Sequence, residues 1–183
     1  MSSTDINVID VRTSDFERWA DYAEAKTEFS KAIDKGSVSA MNNLANVYST
    51  LKRYDAASAQ YQKVLKINPK SHVALYNISQ IAYTGKNFEL AKEYLTDAYA
   101  INADIETTNL LALTYMELND YHNAKVLLNK LNNEIPNNTG ILTTLAKAEM
   151  LDNNADMAKN YLEQVLAIFP ESIEAQELMS GLK

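Results

Sequence analysis

The chain has 183 residues, is 46% hydrophobic and 22% charged, and carries a formal charge of −7 with a pI near 4.9. That supplies apolar material for a packed core, while the acidic balance is a poor match to a phosphate backbone, so no nucleic-acid partner is expected. The lack of cysteine removes disulfides, thiolate metal sites and cysteine nucleophiles, and four glycines with three prolines are too few for a turn-rich sandwich or barrel.

Residues 1–13 scatter Asp, Ser, Thr and Asn around isolated Ile and Val and read as a flexible lead-in. They lack the basic-then-apolar pattern of a signal peptide, and no apolar window is long enough for a membrane span. The expectation is a cytoplasmic chain without direct membrane insertion. A soluble fragment of an exported or membrane-anchored protein would read the same way. Over 14–35, Tyr22, Ala25, Phe29 and Ala32 match the second-helix pattern of the repeats that follow, so this stretch is expected to be helical and to dock beneath 38–71, with Trp19 packing at that end. Arg12 and Thr13 occupy slots that would otherwise be large apolar and small, so this first unit (14–37) is partial.

From residue 38 the chain repeats. KVLKINP ends at Pro69, KLNNEIP at Pro136 and QVLAIFP at Pro170; the last two prolines are 34 residues apart, and DAYAINA puts Ala103 in the intervening slot. Four full units follow, 38–71, 72–104, 105–138 and 139–172, with a C-terminal capping helix over 173–183. Each unit holds two helical stretches around a polar turn: Lys52–Arg53, Gly85–Lys86–Asn87, Asn119–Asp120 and Asp152–Asn153–Asn154. Small residues recur where paired helices must approach, at Ala45, Ser79, Ala112 and Ala146 and at Ala57, Ala91, Ala124 and Ala158. Large ones recur at Leu44, Ile78, Leu111 and Leu145 and at Tyr61, Leu95, Leu128 and Leu162. Alanine permits close ridge-and-groove contact that a bulky side chain would prevent. Tyr54, Phe88 and Tyr121 are expected to cover the turns, with Ala155 the exception.

These phrases resemble the tetratricopeptide repeat. Leu44–Ala45–Tyr48 with Tyr54–Ala57–Tyr61–Pro69 carries most of that pattern, and Leu111–Ala112–Tyr115 with Tyr121–Ala124–Leu128–Pro136 repeats it. Ala82 and Glu149 replace the first-helix tyrosine in the other two units, and Glu149 suggests a looser or more exposed first helix in the last. The resemblance implies an all-α, right-handed superhelical solenoid of antiparallel helix pairs. It also implies that the first helices line a concave groove that receives a peptide or a partner's helix.

Transferred in register, the binding-groove positions are Asn42, Asn46 and Ser49, then Tyr76, Asn77, Gln80 and Tyr83, then Asn109, Leu113 and Met116. Asn43, Thr50, Thr84, Glu106, Glu117, Thr143, Lys147 and Met150 flank them. Amides match an extended backbone because they both donate and accept, and tyrosine adds contact area at low entropy cost. With few charges converging there, binding is expected to weaken only modestly with salt. Relatives that hold the acidic tail of a heat-shock chaperone use basic residues at slots occupied here by Asn42, Val73 and Asn77, so that specialisation is not expected.

Glu106 and Glu117 lack an evident reactive partner, and His72 and His122 stand far apart in sequence. No phosphate loop, His-Glu-x-x-His or nucleophile elbow is present. No catalytic residue, cofactor or metal site is expected. The reading is an interaction adaptor or scaffold for a protein or peptide partner. Its alternative is a structural assembly subunit of a bacterial secretion, pilus or envelope complex, or a homo-oligomer of self-associating copies.

Overall fold

The computed structural model describes residues 15–182, with side chains from Tyr22 to Leu182. The expected lead-in over 1–13, Arg12, Thr13 and the packing of Trp19 lie outside what is described. Ten helices and no strand occur among the described residues. They divide between two compact units, Met1–Ile67 and Asn68–Lys183. The first holds α1 (Asp15–Asp34), α2 (Val38–Thr50) and α3 (Tyr54–Ile67). The second holds α4 (His72–Thr84), α5 (Phe88–Ile101), α6 (Ile105–Glu117), α7 (Tyr121–Glu134), α8 (Thr139–Leu151), α9 (Ala155–Ile168) and α10 (Ile173–Gly181).

One local device closes the first helix of every pair. Lys52, Lys86, Asn119 and Asn153 turn left-handed at φ 58 to 60°. The two N–H groups beyond each helix then reach back to its last carbonyls. Arg53 donates to Tyr48 at 2.8 Å and Lys52 to Ser49 at 2.9 Å, and Asn87 and Lys86 do the same to Ala82 and Tyr83. Gly36, at φ 84°, ends α1 in the same way. After two of these turns the next residue caps the following helix: Asn87 Oδ1 accepts from Leu90 N–H and Asp120 Oδ1 from Asn123 N–H, whereas Asn154 makes no side-chain cap bond. Ser37, Ser71, Asp104, Asn138 and Ser172 cap α2, α4, α6, α8 and α10.

In the first unit the core is built from Tyr22 and Ala25 on α1, Leu44 and Ala45 on α2, and Ala57, Tyr61 and Val64 on α3. In the second, clusters of buried side chains are each shared by three successive helices. Ala82, Ala91, Leu95 and Leu111 join α4, α5 and α6. Ala112, Met116, Leu128, Leu131, Ile141 and Leu145 join α6, α7 and α8. Leu142, Ala146, Leu162, Val165 and Ala175 join α8, α9 and α10. No helix pair hides its apolar face alone; each needs the next. Ala57, Ala91, Ala124 and Ala158 are all fully buried, as close helix crossing requires. Tyr54, Phe88 and Tyr121 are half-buried, and Phe88 meets Tyr83 edge-on at 5.3 Å.

One expectation is overturned. Glu149 does not loosen α8, which buries Ile141, Leu142, Thr143, Leu145, Ala146, Ala148 and Glu149 itself at 7% exposure. The carboxylate stays buried because it is satisfied. Its Oε2 accepts from Lys125 Nζ at 3.0 Å and from Asn154 Nδ2 at 2.9 Å, while Lys125 also donates to Asp152 Oδ2 at 2.7 Å.

Candidate functional site

Helices α4 and α6 lie side by side and point the same way, because cross-links tie their matching ends. At the N-terminal end, His72 Nε2 stands 2.9 Å from Thr107 Oγ1 and 3.4 Å from Asp104 Oδ2. At the C-terminal end, Tyr83 OH makes a long contact of 3.5 Å to Glu117 Oε1. Between these ties the face carries Tyr76, Asn77 and Gln80 from α4 and Asn109 and Leu113 from α6. Gln80 is exposed and the other four are half-buried.

Several of these side chains are held in place. The His72 and Tyr76 rings stack at 6.3 Å, and Gln80 Nε2 donates to Tyr76 OH at 3.1 Å. Asn109 makes no side-chain hydrogen bond among the described residues. Burial pushes the Tyr76 hydroxyl above the ordinary tyrosine range, and Glu106 and Asp104 push it further, with Gln80 opposing. Burial also raises Tyr83, reinforced by Glu117. The face is therefore more acidic than the register suggested, since three carboxylates bear on its two tyrosines.

Other candidates fall elsewhere. Met116 is 8% exposed and belongs to the core shared with Leu128 and Ile141, so it offers a ligand little surface. Thr143 on α8 is 7% exposed and donates to the Thr139 carbonyl at 2.7 Å. Lys147 Nζ bonds Glu174 Oε1 at 2.6 Å, and Met150 is half-buried. In the first unit, α2 carries Asn42 and Ser49 half-buried and Asn46 exposed. Asn46 Oδ1 accepts from the hydroxyl of Tyr61, a side chain that is 1% exposed, so this amide satisfies a buried phenol. Asn42 Oδ1 is buried without a hydrogen-bond partner.

Sequence reasoning missed the Lys125–Glu149–Asp152–Asn154 network, although a signal was present. Lys92 and Lys125 occupy the same slot of α5 and α7, and Tyr115 and Glu149 the same slot of α6 and α8. Reading the substitution together with its partner one helix earlier would have exposed the pair. His72, read from the sequence as a surface or satisfied histidine rather than a ligand, has its ring taken up by Asp104 and Thr107. Among the described residues, no group of three or more His, Asp or Glu could hold a metal ion, and no helix is long and apolar enough to cross a membrane.

Comparison with known proteins bears on this arrangement. Tetratricopeptide repeat models match residues 38–71, 72–105 and 115–182. No curated protein matches the chain significantly in sequence. Among solved structures, YrrB, described as a TPR protein with an unusual peptide-binding site, superposes with a TM-score of 0.74 at 19% identity, covering 84% of this chain and 81% of its own. MamA from Desulfovibrio magneticus RS-1 gives 0.75 at 19% identity, covering 85% and 90%. The APC/C hetero-tetramer Cut9–Hcn1 gives 0.71 at 18% identity, covering 91% of this chain but 34% of that one. With helix pairs, turns and buried small residues recurring in step with these matches, the chain belongs to the tetratricopeptide repeat family, whose members are protein-interaction repeats.

Proposed function

We propose that the chain is an interaction scaffold whose first-helix face receives a peptide or an extended segment of another protein. The observation that carries this reading is the α4/α6 face, where Tyr76, Asn77, Gln80 and Asn109 stand between two end ties, one of them made by Tyr83. Half-buried tyrosines give wide contact at small entropy cost, and amides pair with an extended backbone whatever its side chains. YrrB, similar in fold, is described as having a peptide-binding site, which agrees with this use of the fold. Partner capture with the purified chain, followed by calorimetry against Tyr76→Ala and Asn77→Ala, tests it. Loss of about 2 kcal/mol for Tyr76→Ala is expected, since truncating an interface aromatic removes most of its contact. Unchanged affinity in both variants, with folding intact, moves the site elsewhere.

A second reading, association of copies into an assembly, is favoured by one feature. Ile168, Phe169 and Ile173 cluster at the α9–α10 turn with 47%, 53% and 71% exposure. Sedimentation over a concentration series tests it. A monomer at every concentration removes this reading, and self-association abolished by Phe169→Asp supports it.

A further inference from the structure

The face formed by α4 and α6 has one sign of charge. Neither helix contains lysine or arginine. Asp104 and Glu106 bear on Tyr76, and Glu117 meets Tyr83. The basic group on α4, His72, is turned onto Asp104 and Thr107 at the end of the face. On α8, the Lys147 ammonium is bound to Glu174. The second helices behave differently. There Lys130 Nζ lies 5.2 Å from the centre of the Tyr99 ring and donates to its hydroxyl at 2.9 Å. A tyrosine of the second-helix side thus takes a cation from the chain itself. Tyr76 and Tyr83 have carboxylates beside them and no ammonium or guanidinium from α4 or α6.

We infer that this face takes a basic segment, with lysine or arginine side chains laid against Tyr76 and Tyr83 and paired with Glu106 and Glu117. The inference rests on the peptide-binding reading above and adds the chemistry of the partner. A cation over an aromatic ring is attracted to its negative face, and a carboxylate beside the ring completes the pairing. An acidic segment would meet Glu106 and Glu117 with no lysine or arginine on either helix to offset them. The two tyrosines are seven residues apart, about 10.5 Å along α4 at 1.5 Å per residue. In a polyproline-II-like peptide, residues three apart lie on one side, about 9.3 Å from each other, and match that interval.

The test uses the full chain and three fluorescent twelve-residue peptides differing only in the residues at i and i+3: arginine, glutamine or glutamate. Binding is followed by anisotropy at low and at physiological salt, and the site by NMR shifts of the Tyr76 and Tyr83 rings. The arginine peptide should bind tightest, shift both rings and weaken with salt. Glu106→Gln and Glu117→Gln should each weaken it about three- to five-fold, the scale of an exposed ion pair. Glu93→Gln, on the exposed surface of α5, makes the same change in net charge and should alter affinity less than about two-fold. Equal binding of all three peptides with both rings shifted would overturn the basic preference and leave the peptide-binding face standing. An arginine effect equal in Glu93→Gln, Glu106→Gln and Glu117→Gln would reduce the attraction to net charge and overturn it too. Binding that leaves both rings unshifted, or no binding by any peptide, would overturn both readings.

Discussion

Lys125→Met should be the most destabilising single change in the charge network between α7 and the α8–α9 turn. The substitution keeps the apolar stem and removes the ammonium from a carboxylate whose side chain is 9% exposed. Glu149 would keep the Asn154 amide at 2.9 Å but lose its cation. Stranding one member of a buried pair costs about 3–5 kcal/mol. Asp152, at 41% side-chain exposure, can rehydrate and adds little, so a loss of about 3 kcal/mol is expected. Glu149→Gln should be milder. Lys125 keeps Asp152 at 2.7 Å and the new amide can still accept, so the loss is about 1 kcal/mol, one weakened hydrogen bond. Lys125→Met combined with Glu149→Leu removes both charges and should lie closer to the parent chain than Lys125→Met alone, because no buried charge is left unpaired. Urea denaturation of the parent, Lys125→Met, Glu149→Leu and the double variant, followed by circular dichroism, closes the double-mutant cycle, with Glu149→Gln measured beside them. If Lys125→Met and Glu149→Gln cost the same and both fall below about 1 kcal/mol, Glu149 is solvated and the argument fails.

Three further outcomes follow from the packing and caps. Ala91→Phe should cost well over the about 1 kcal/mol lost when Asn87→Ala removes the α5 cap, because the fully buried Ala91 lies where overpacking forces helices apart; comparable losses in urea denaturation would deny the close crossing. Thr108→Val should stabilise the chain by about 1 kcal/mol, since this hydroxyl is buried at 1% exposure without a hydrogen-bond partner and the methyl replaces it at equal volume; a lowered melting temperature would show that the hydroxyl is satisfied. Asp120, the α7 cap, is held below the ordinary carboxylate range, first by the Asn123 side-chain amide. Its depressed folded value means the stabilisation is present above the ordinary value of 3.8 and lost as pH falls through the folded value. Asp120→Asn, a cap that does not titrate, should therefore lose less stability than the parent chain between pH 5 and 2, and parallel losses would contradict this.

Much of the fold was legible because it is written locally and repeatedly. Four turns with a left-handed middle residue, capping residues beyond two of them, and alanines at one slot of each second helix depend on neighbours a few positions away. A recurrence near 34 residues repeats those local instructions, so the helix pairs and their buried slots could be read without coordinates. The candidate face was legible in part: the repeat register places Tyr76, Asn77, Gln80, Tyr83, Asn109 and Leu113 on the first helices, and all but the exposed Gln80 are half-buried.

What only the tertiary structure decided were contacts between slots whose chemistry changes from one repeat to the next. Met116 turned into the core because Leu128, Leu131 and Ile141 surround it, whereas Leu113, one turn earlier on α6, stayed half-exposed. Asn46 became the acceptor for a buried tyrosine hydroxyl on α3. Glu149, expected to loosen its helix, was buried because Lys125 stands 24 residues earlier at the facing slot. Periodicity determines which positions meet. Whether a polar residue at such a position is exposed, buried or bound to a partner depends on the desolvation its particular neighbours can offset, and those neighbours are assembled only when successive helices stack.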